Sequence, residues 1–114
     1  MFSDVFMADA ANLTLSHDAV PGEQVVAGNP RTGSVVLSEW GGKELGVWEM
    51  TPGEMTDVEA DELCVILSGS GIVRRVIGGQ SVDQPLVPGA VFALLDGEET
   101  LWVVHETVRK VYLA

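Results

Sequence analysis

The sequence predicts an all-β protein of the sandwich or barrel type. Its 114 residues contain 13 glycines and 5 prolines, which divide the chain into short segments. These segments are rich in β-branched and aromatic residues, which favour strands. They recur at a spacing of about 8–12 residues, as is typical of sandwiches and barrels. A chain of this length is expected to form one domain.

Eight segments are predicted to be strands because each has strand-forming residues between turn formers. In chain order they are EQVVAG, GSVVLSE, KELGVWEM, ELCVILSG, GIVRRVIGG, GAVFALL, ETLWVVHE and VRKVYLA. Turns are predicted at GNPRTG, EWGGKE, TPGE, SGSG, IGGQ, DQPLVPG and LLDGEE. Nothing after Pro21 has a helical pattern. Residues 1–20 are read as an N-terminal arm, in which FMADAANLTL forms a short helix or leads into an edge strand, and residues 21–114 as the domain.

Charge and cysteine content limit the partners and the compartment. The chain has 17 acidic and 6 basic residues and a formal net charge of -11, which repels nucleic acids and anionic membranes. Its single cysteine, Cys64, cannot form an intrachain disulfide. Asp4 and Asp9 interrupt the segment that would be apolar in a signal peptide. We therefore expect a cytoplasmic protein with no nucleic-acid or membrane partner.

The strand ELCVILSG is apolar on both faces. Glu62, Cys64 and Ile66 share one face, and the alternate residues on the other face are leucine, valine and leucine. Such a strand is expected to be covered on both sides. A small barrel has one interior, so the outer face is expected to be covered by another sheet or by a second subunit, and a homodimer is the preferred interpretation.

Three segments, in this order, resemble a known family: GVWEMTPG, ELCVILSGSG and LVPGAVFALLDGEETLWVVHETVRKVYLA. They look like a small single-domain cupin of the ureidoglycine aminohydrolase and ethanolamine-utilisation type. The resemblance covers mainly residues 44–114. It implies a cupin-type double-stranded β-helix, that is, an RmlC-like jelly-roll barrel.

The first metal-binding motif of cupins is only partly present. Glu62 and Gly69 match the glutamate and the glycine of that motif. Counting back from Glu62 leaves two alternatives for the two histidine positions. They are Met55 with Asp57, or Thr56 with Val58.

The second motif also departs from the family pattern. Counted from Gly89, Gly97 matches its second glycine, while Leu95 replaces the proline and Thr100 replaces the histidine. Transition metals in such barrels are held through imidazole ligands. We therefore expect no metal cofactor, and hydrolase activity does not follow directly from the resemblance.

The resemblance and the strand alternation imply a ligand pocket lined by Glu62, Trp48, Thr100, Trp102 and Cys64. A carboxylate in an apolar interior needs hydrogen bonds or takes a raised pKa, and either state suits ligand binding or proton transfer. The alternative for Glu62 is a structural role, held by backbone, Arg or Tyr. The alternative for the two tryptophans is that they fill the barrel. Cys64 lacks a positive neighbour in the sequence, which favours a buried apolar role.

The other polar residues receive structural interpretations. His105 alternates with Trp102 and is predicted to face outward, and His17 has no partner that the sequence identifies. The acidic run 54–62 is predicted to be a solvated loop rather than a site for a hard cation. The cations Arg74, Arg75, Arg109 and Lys110 are predicted to pair with carboxylates on neighbouring strands, and Arg109 or Lys110 could instead gate an anionic ligand.

Three functions follow, and the cupin architecture alone cannot separate them. The first is metal-independent binding of a small metabolite, with a nitrogen-containing ligand implied by the resemblance. The second is an enzyme of the aminohydrolase or lyase kind. The third is a structural or regulatory partner protein with a filled barrel. A pocket with an ionised glutamate in so acidic a chain favours neutral or cationic ligands over polyanions.

Overall fold

The computed structural model describes residues 8–114, which form nine strands in one curled sheet. The strands are β1 (Asp18–Ala19), β2 (Val25–Gly28), β3 (Arg31–Trp40), β4 (Lys43–Met50), β5 (Gly53–Val58), β6 (Glu62–Ile77), β7 (Gln80–Pro85), β8 (Val91–Leu94) and β9 (Glu99–Leu113). Residues 8–114 contain no helix, so none in that range is long and apolar enough to cross a membrane. The all-β prediction is confirmed.

Strand β9 organises the sheet. Its first half pairs with β5 and its second half with β4, while β6 runs antiparallel along its other side. Strands β7 and β8 extend the sheet from β6. This register places Trp48 of β4 directly opposite Lys110 of β9, and Met55 of β5 opposite Trp102.

Two predicted breaks between strands are wrong. ELCVILSG and GIVRRVIGG form the single strand β6, and ETLWVVHE and VRKVYLA form the single strand β9. Gly69 and Gly71 have φ values of 99° and 153°, and a Cβ on either would overlap the backbone of β9. These glycines therefore permit bulges that bend β6 without ending it.

Two strands were not predicted from the sequence. β5 (GEMTDV) largely overlaps the acidic run 54–62, and β7 (QSVDQP) is polar and overlaps the predicted turns IGGQ and DQPLVPG. Asp57, Glu59 and Glu62 are half-buried, so the prediction of a solvated loop is wrong for these residues. Asp61 is exposed, as predicted for this run.

The core lies on the inner face of the curled sheet. It is built from alternate residues of β6 and β9 together with residues of β4, β5 and β8. Its members include Met50, Met55, Cys64, Ile66, Val73, Phe92, Leu94, Trp102, Val104 and Val108.

The part of the N-terminal arm that the structure describes packs against the outer face of β3, β4 and β9. β1 pairs with β3, and a Cβ at Gly33 would overlap the carbonyl of Ser16. From Ala8 onward FMADAANLTL forms a turn rather than a helix, and its first two residues lie outside the described residues. The edge-strand alternative is therefore the correct one for the described part of the arm.

Candidate functional site

The ammonium group of Lys110 lies at the centre of the inner face. Its Nζ donates a hydrogen bond to Glu62 Oε2 at 2.6 Å. It also lies 4.4 Å from the ring centroid of Trp48 and 4.8 Å from that of Trp102. The two rings are 5.3 Å apart and inclined at 56°. One cation thus joins three residues that the sequence analysis assigned to the pocket.

Burial makes this cation depend on its partners. The Lys110 side chain is 5% exposed and the Glu62 side chain 17%. A buried charge is costly without an opposite charge or a polarisable partner, and indole faces attract cations. Glu62 is therefore held by a lysine, rather than by the backbone, arginine or tyrosine of the structural alternative.

A second group of hydrogen bonds lies beside Lys110. Thr100 Oγ1 donates to Glu59 Oε2 at 2.6 Å, and Trp102 Nε1 donates to the same oxygen at 3.0 Å. Trp102 Nε1 also lies 3.2 Å from Thr100 Oγ1. Glu59 therefore satisfies two donors of β9 that are almost fully buried.

Asp57 adds a carboxylate to this group. It lies opposite Thr100 in the pairing of β5 with β9. Burial raises the pKa of Asp57, and the negative charge of Glu59 raises it further. With Glu62, the site holds three carboxylates and one ammonium, so its net charge is negative when all are ionised.

Cys64 lies on the same inner face but has no nucleophilic character. Burial raises the pKa of its thiol to about 11, and its Sγ is 3.5 Å from the carbonyl oxygen of Phe92. The thiol is neutral at physiological pH, so Cys64 contributes apolar surface rather than a reactive thiolate.

Two surface pockets reach this cluster from different directions. A pocket of about 530 Å³, here called the Asp57 pocket, is lined by Asp57, Thr100 and Arg75, among others. A pocket of about 450 Å³ is lined by Glu62 and Leu94, among others. Neither pocket is lined by Trp48, Trp102 or Lys110, whose side chains pack against one another.

Within residues 8–114, the inner face does not provide a transition-metal site. Met55 is buried and Asp57 half-buried, whereas Thr56 and Val58 are exposed, so Met55 and Asp57 take the two histidine positions. Together with Glu62 and Thr100, they offer a thioether, two carboxylates and a hydroxyl, without imidazole. The residues present therefore do not fit the metal of the histidine-bearing cupins.

A different ion-pair cluster lies on the outer face. Arg109 donates to Glu49 Oε2 and to the carbonyl of Ala10, both at 2.9 Å, and His17 Nε2 lies 2.5 Å from Glu49 Oε1. Burial opposes ionisation of Glu49, but the hydrogen bonds from Arg109 and His17 outweigh it and lower the pKa of Glu49. His17, whose partner could not be identified from the sequence, thus ties the arm to β4.

The predicted pairing of the cations with carboxylates is confirmed. Arg75 forms two hydrogen bonds with Glu98, and Arg74 pairs with Asp83 at the surface. His105 is exposed on the outward-facing side of β9, as its alternation with Trp102 predicts. It makes no contribution to the inner cluster.

Sequence reasoning identified part of this cluster. Glu62, Trp48, Thr100, Trp102 and Cys64 all lie on the inner face, as expected. It did not assign Asp57 or Glu59 to the pocket, because both fell in the supposed loop. Lys110 shares the even-numbered alternation of Thr100 and Trp102 on β9, and this signal was sufficient to place it inward.

Comparison with protein families agrees with this arrangement. A model of the EutQ-like cupin domain matches residues 37–112, which is more than half of the sequence. This chain belongs to the EutQ-like cupin domain family. No curated protein matches the sequence significantly.

Solved structures show the same cupin fold. The Clostridium difficile EutQ protein has a TM-score of 0.65 and 16% identity, covering 94% of this cupin and 83% of that chain. A putative ethanolamine utilization protein Q from Salmonella typhimurium has a TM-score of 0.58 and 18% identity, covering 90% and 96%. A protein of unknown function of the DUF861 family from Pseudomonas syringae has a TM-score of 0.72 and 23% identity, covering 92% and 45%. This cupin thus spans less than half of the Pseudomonas chain.

Proposed function

We propose that this cupin binds a small metabolite in its barrel without a metal ion. The observation that carries the proposal is the position of the Lys110 ammonium, 2.6 Å from Glu62 Oε2 and against the faces of Trp48 and Trp102. A fixed cation in a barrel lined by aromatic rings supplies the positive charge that a metal supplies in histidine-bearing cupins. Aromatic walls with a few convergent polar groups are typical of ligand pockets.

The charges around Lys110 favour a small ligand that contains nitrogen. Asp57, Glu59 and Glu62 outnumber the single ammonium, so the site attracts neutral or cationic ligands and repels polyanions. The structural neighbours named for ethanolamine utilization, and the resemblance to ureidoglycine aminohydrolases, both suggest nitrogen-containing compounds. Ethanolamine and glycine are the simplest cationic and neutral probes of this class.

Asp57 supports a second candidate, an enzyme of the aminohydrolase or lyase kind. Its pKa is raised by burial and by Glu59, and it lines the Asp57 pocket. A carboxylate with a raised pKa is a stronger base, so it accepts a proton from a substrate more readily than an ordinary carboxylate does. In this case Asp57→Asn would abolish turnover while retaining binding.

The binding proposal is tested by thermal unfolding and calorimetric titration of chelator-treated protein with ethanolamine and with glycine. Binding to the native state raises the Tm in a saturable manner. We expect this rise in the wild type and its loss in Lys110→Met and in Glu62→Gln. Arg109→Met is the matched control, because it also removes a buried cation paired with a carboxylate, but on the outer face.

Two outcomes would contradict the binding proposal. If neither compound binds the chelator-treated protein, the packed rings of Trp48 and Trp102 would favour the third function, a partner protein with a filled barrel. If Lys110→Met binds as tightly as the wild type, the ligand does not use the Lys110 site.

We further propose that a second copy of the chain packs on the outer face. The register of five strands forms a row of outward-facing residues that are all valine, and each lies opposite the next across β3, β4, β9, β6 and β8. The row is Val35, Val47, Val111, Val65 and Val91. Val47 is already buried within the chain, whereas Val91 is 62% exposed and Leu63, in the neighbouring row, is 50% exposed. Two copies with a charge of -11 each repel one another least where they meet through these uncharged side chains.

The dimer is tested by light scattering coupled to gel filtration. We expect the wild type at twice 12.1 kDa and Leu63→Lys at the mass of one chain. Val76→Lys is the control, because Val76 is 64% exposed but lies at the other end of β6. A wild-type mass of 12.1 kDa would refute the dimer.

A further inference from the structure

The Glu59 carboxylate occupies a pair of donors that belongs to the barrel wall. Thr100 is 5% exposed and Trp102 1% exposed, and both are fixed on β9 between β5 and β6. Thr100 Oγ1 and Trp102 Nε1 converge on one oxygen, Glu59 Oε2. The indole nitrogen can only donate, so this pair requires an acceptor oxygen.

Glu59 itself is less firmly placed than its donors. It is half-buried in the short segment between β5 and β6, next to exposed Val58 and Ala60. Its backbone is fixed by hydrogen bonds from its N–H to the carbonyl of Glu98 and from the N–H of Gly97 to its carbonyl. The side chain can therefore rotate into solvent while the backbone remains in place, and a carboxylate in water is well hydrated.

We propose that Thr100 Oγ1 and Trp102 Nε1 form a subsite for a carboxylate group of the ligand, and that Glu59 closes this subsite until the ligand carboxylate replaces it. This inference rests on the proposed function, because it concerns the same site. It assigns a carboxylate to the ligand in addition to the nitrogen proposed above.

The charges and the access route favour this exchange. Replacing one carboxylate by another leaves the total charge around Asp57, Glu62 and Lys110 unchanged. The subsite lies beside Lys110, because the ring of Trp102 contacts the ammonium. Thr100 lines the Asp57 pocket of about 530 Å³, which provides a path from the surface. Without Glu59 the Thr100 hydroxyl would lose its acceptor, and Trp102 Nε1 would keep only the 3.2 Å hydrogen bond to Thr100 Oγ1. This loss is unfavourable for buried donors, so Glu59 closes the site when ligand is absent.

The test uses Glu59→Ala and acetate as the probe. Removing the side chain leaves the buried Thr100 hydroxyl without its acceptor and removes one of the two hydrogen bonds of Trp102 Nε1. We therefore expect Glu59→Ala to lower the Tm by several degrees. Acetate should restore the Tm in a saturable manner by binding the vacated donors. Glu99→Ala is the matched control, because Glu99 is exposed and close in sequence to Thr100, and acetate should leave its Tm unchanged. Adding Thr100→Val to Glu59→Ala should weaken acetate binding about tenfold, as expected for one lost hydrogen bond.

The proposal is overturned if acetate fails to raise the Tm of Glu59→Ala, or raises that of Glu99→Ala equally. If Glu59→Ala does not fold, Glu59→Asp replaces it. Its shorter carboxylate reaches the donors poorly, and acetate should then stabilise Glu59→Asp more than Glu99→Asp. An acetate response of Glu59→Ala without ethanolamine or glycine binding would retain the subsite and reject the proposed nitrogen-containing ligand. Binding of those compounds through Lys110 without an acetate response would reject the carboxylate subsite and retain the proposed nitrogen-containing ligand.

Discussion

Arg109 and Lys110 are consecutive residues of β9 that face opposite sides of the sheet. Arg109 points outward and pairs with Glu49, and Lys110 points inward and pairs with Glu62. Both cations are buried, and both carboxylates belong to a strand beside β9. The two pairs thus share chemistry, burial and position in the chain.

They differ in how their surroundings are satisfied. Arg109 also bonds the carbonyl of Ala10, and Glu49 also contacts His17, so the outer pair joins the arm to the sheet with balanced charges. Lys110 has one hydrogen bond to a carboxylate and two aromatic faces, with Asp57 and Glu59 nearby in excess. An ion pair whose members have all their hydrogen-bond partners within the protein stabilises the fold. A cation surrounded by excess carboxylates and aromatic rings is better suited to exchange one of these partners for a ligand.

The largest expected difference is in stability. Arg109→Met leaves the Glu49 charge buried with only His17 as partner, so we expect a loss of about 3–5 kcal/mol in the free energy of unfolding. Lys110→Met should cost about 1–2 kcal/mol, because Glu62 reaches a surface pocket where water can solvate it. Denaturant unfolding of the two variants at pH 7 measures both losses.

The same pair of variants should differ in the opposite sense in binding. In calorimetric titrations below the Tm of each variant, Arg109→Met should still bind ethanolamine and glycine. Lys110→Met should bind neither. Equal losses of stability in the two variants would show that both cations are primarily structural.

A smaller contrast is expected in the pH dependence of stability. The pKa of Glu49 is lowered below 4.5 in the folded protein, so the unfolded chain binds more protons and stability falls as the pH drops through this range. The pKa of Asp57 is raised above 3.8, so its ionisation lowers stability as the pH rises through its folded value. Asp57→Asn should therefore raise the free energy of unfolding at pH 7, and Glu49→Gln should lower it.

Unfolding between pH 3 and pH 8 checks these signs. Glu49→Gln should also flatten the acid side of the profile, although Glu98, whose pKa Arg75 lowers, keeps part of the slope. If the free energy of unfolding of Asp57→Asn follows the same pH dependence as that of the wild type, Asp57 does not belong to the buried cluster.

The sequence was sufficient to predict the fold and one wall of the site. Alternation along ELCVILSG put Glu62 and Cys64 on one face of their strand, and alternation along ETLWVVHE did the same for Thr100 and Trp102. The cupin resemblance indicated that both pairs face the barrel interior. Asp57 was missed because the acidic residues of β5 hide the apolar alternation by which a strand is predicted. Among the side chains of β5, only Met55 and Asp57 turn inward. Glu59 could not be placed, because its position depends on backbone contacts with residues 97 and 98, which are distant in sequence.

The central claim is that the Lys110 cluster binds small ligands without a metal, and the three tryptophans of this cupin report on it directly. Trp48 and Trp102 contact Lys110, whereas Trp40 is 72% exposed at the tip of the β3–β4 hairpin and serves as an internal control. The decisive measurement is an NMR titration of the indole N–H signals of chelator-treated protein with ethanolamine or glycine. We predict saturable shifts of the Trp48 and Trp102 signals, an unchanged Trp40 signal, and no shifts in Lys110→Met. Unchanged signals of Trp48 and Trp102, or equal shifts of all three, would contradict the claim.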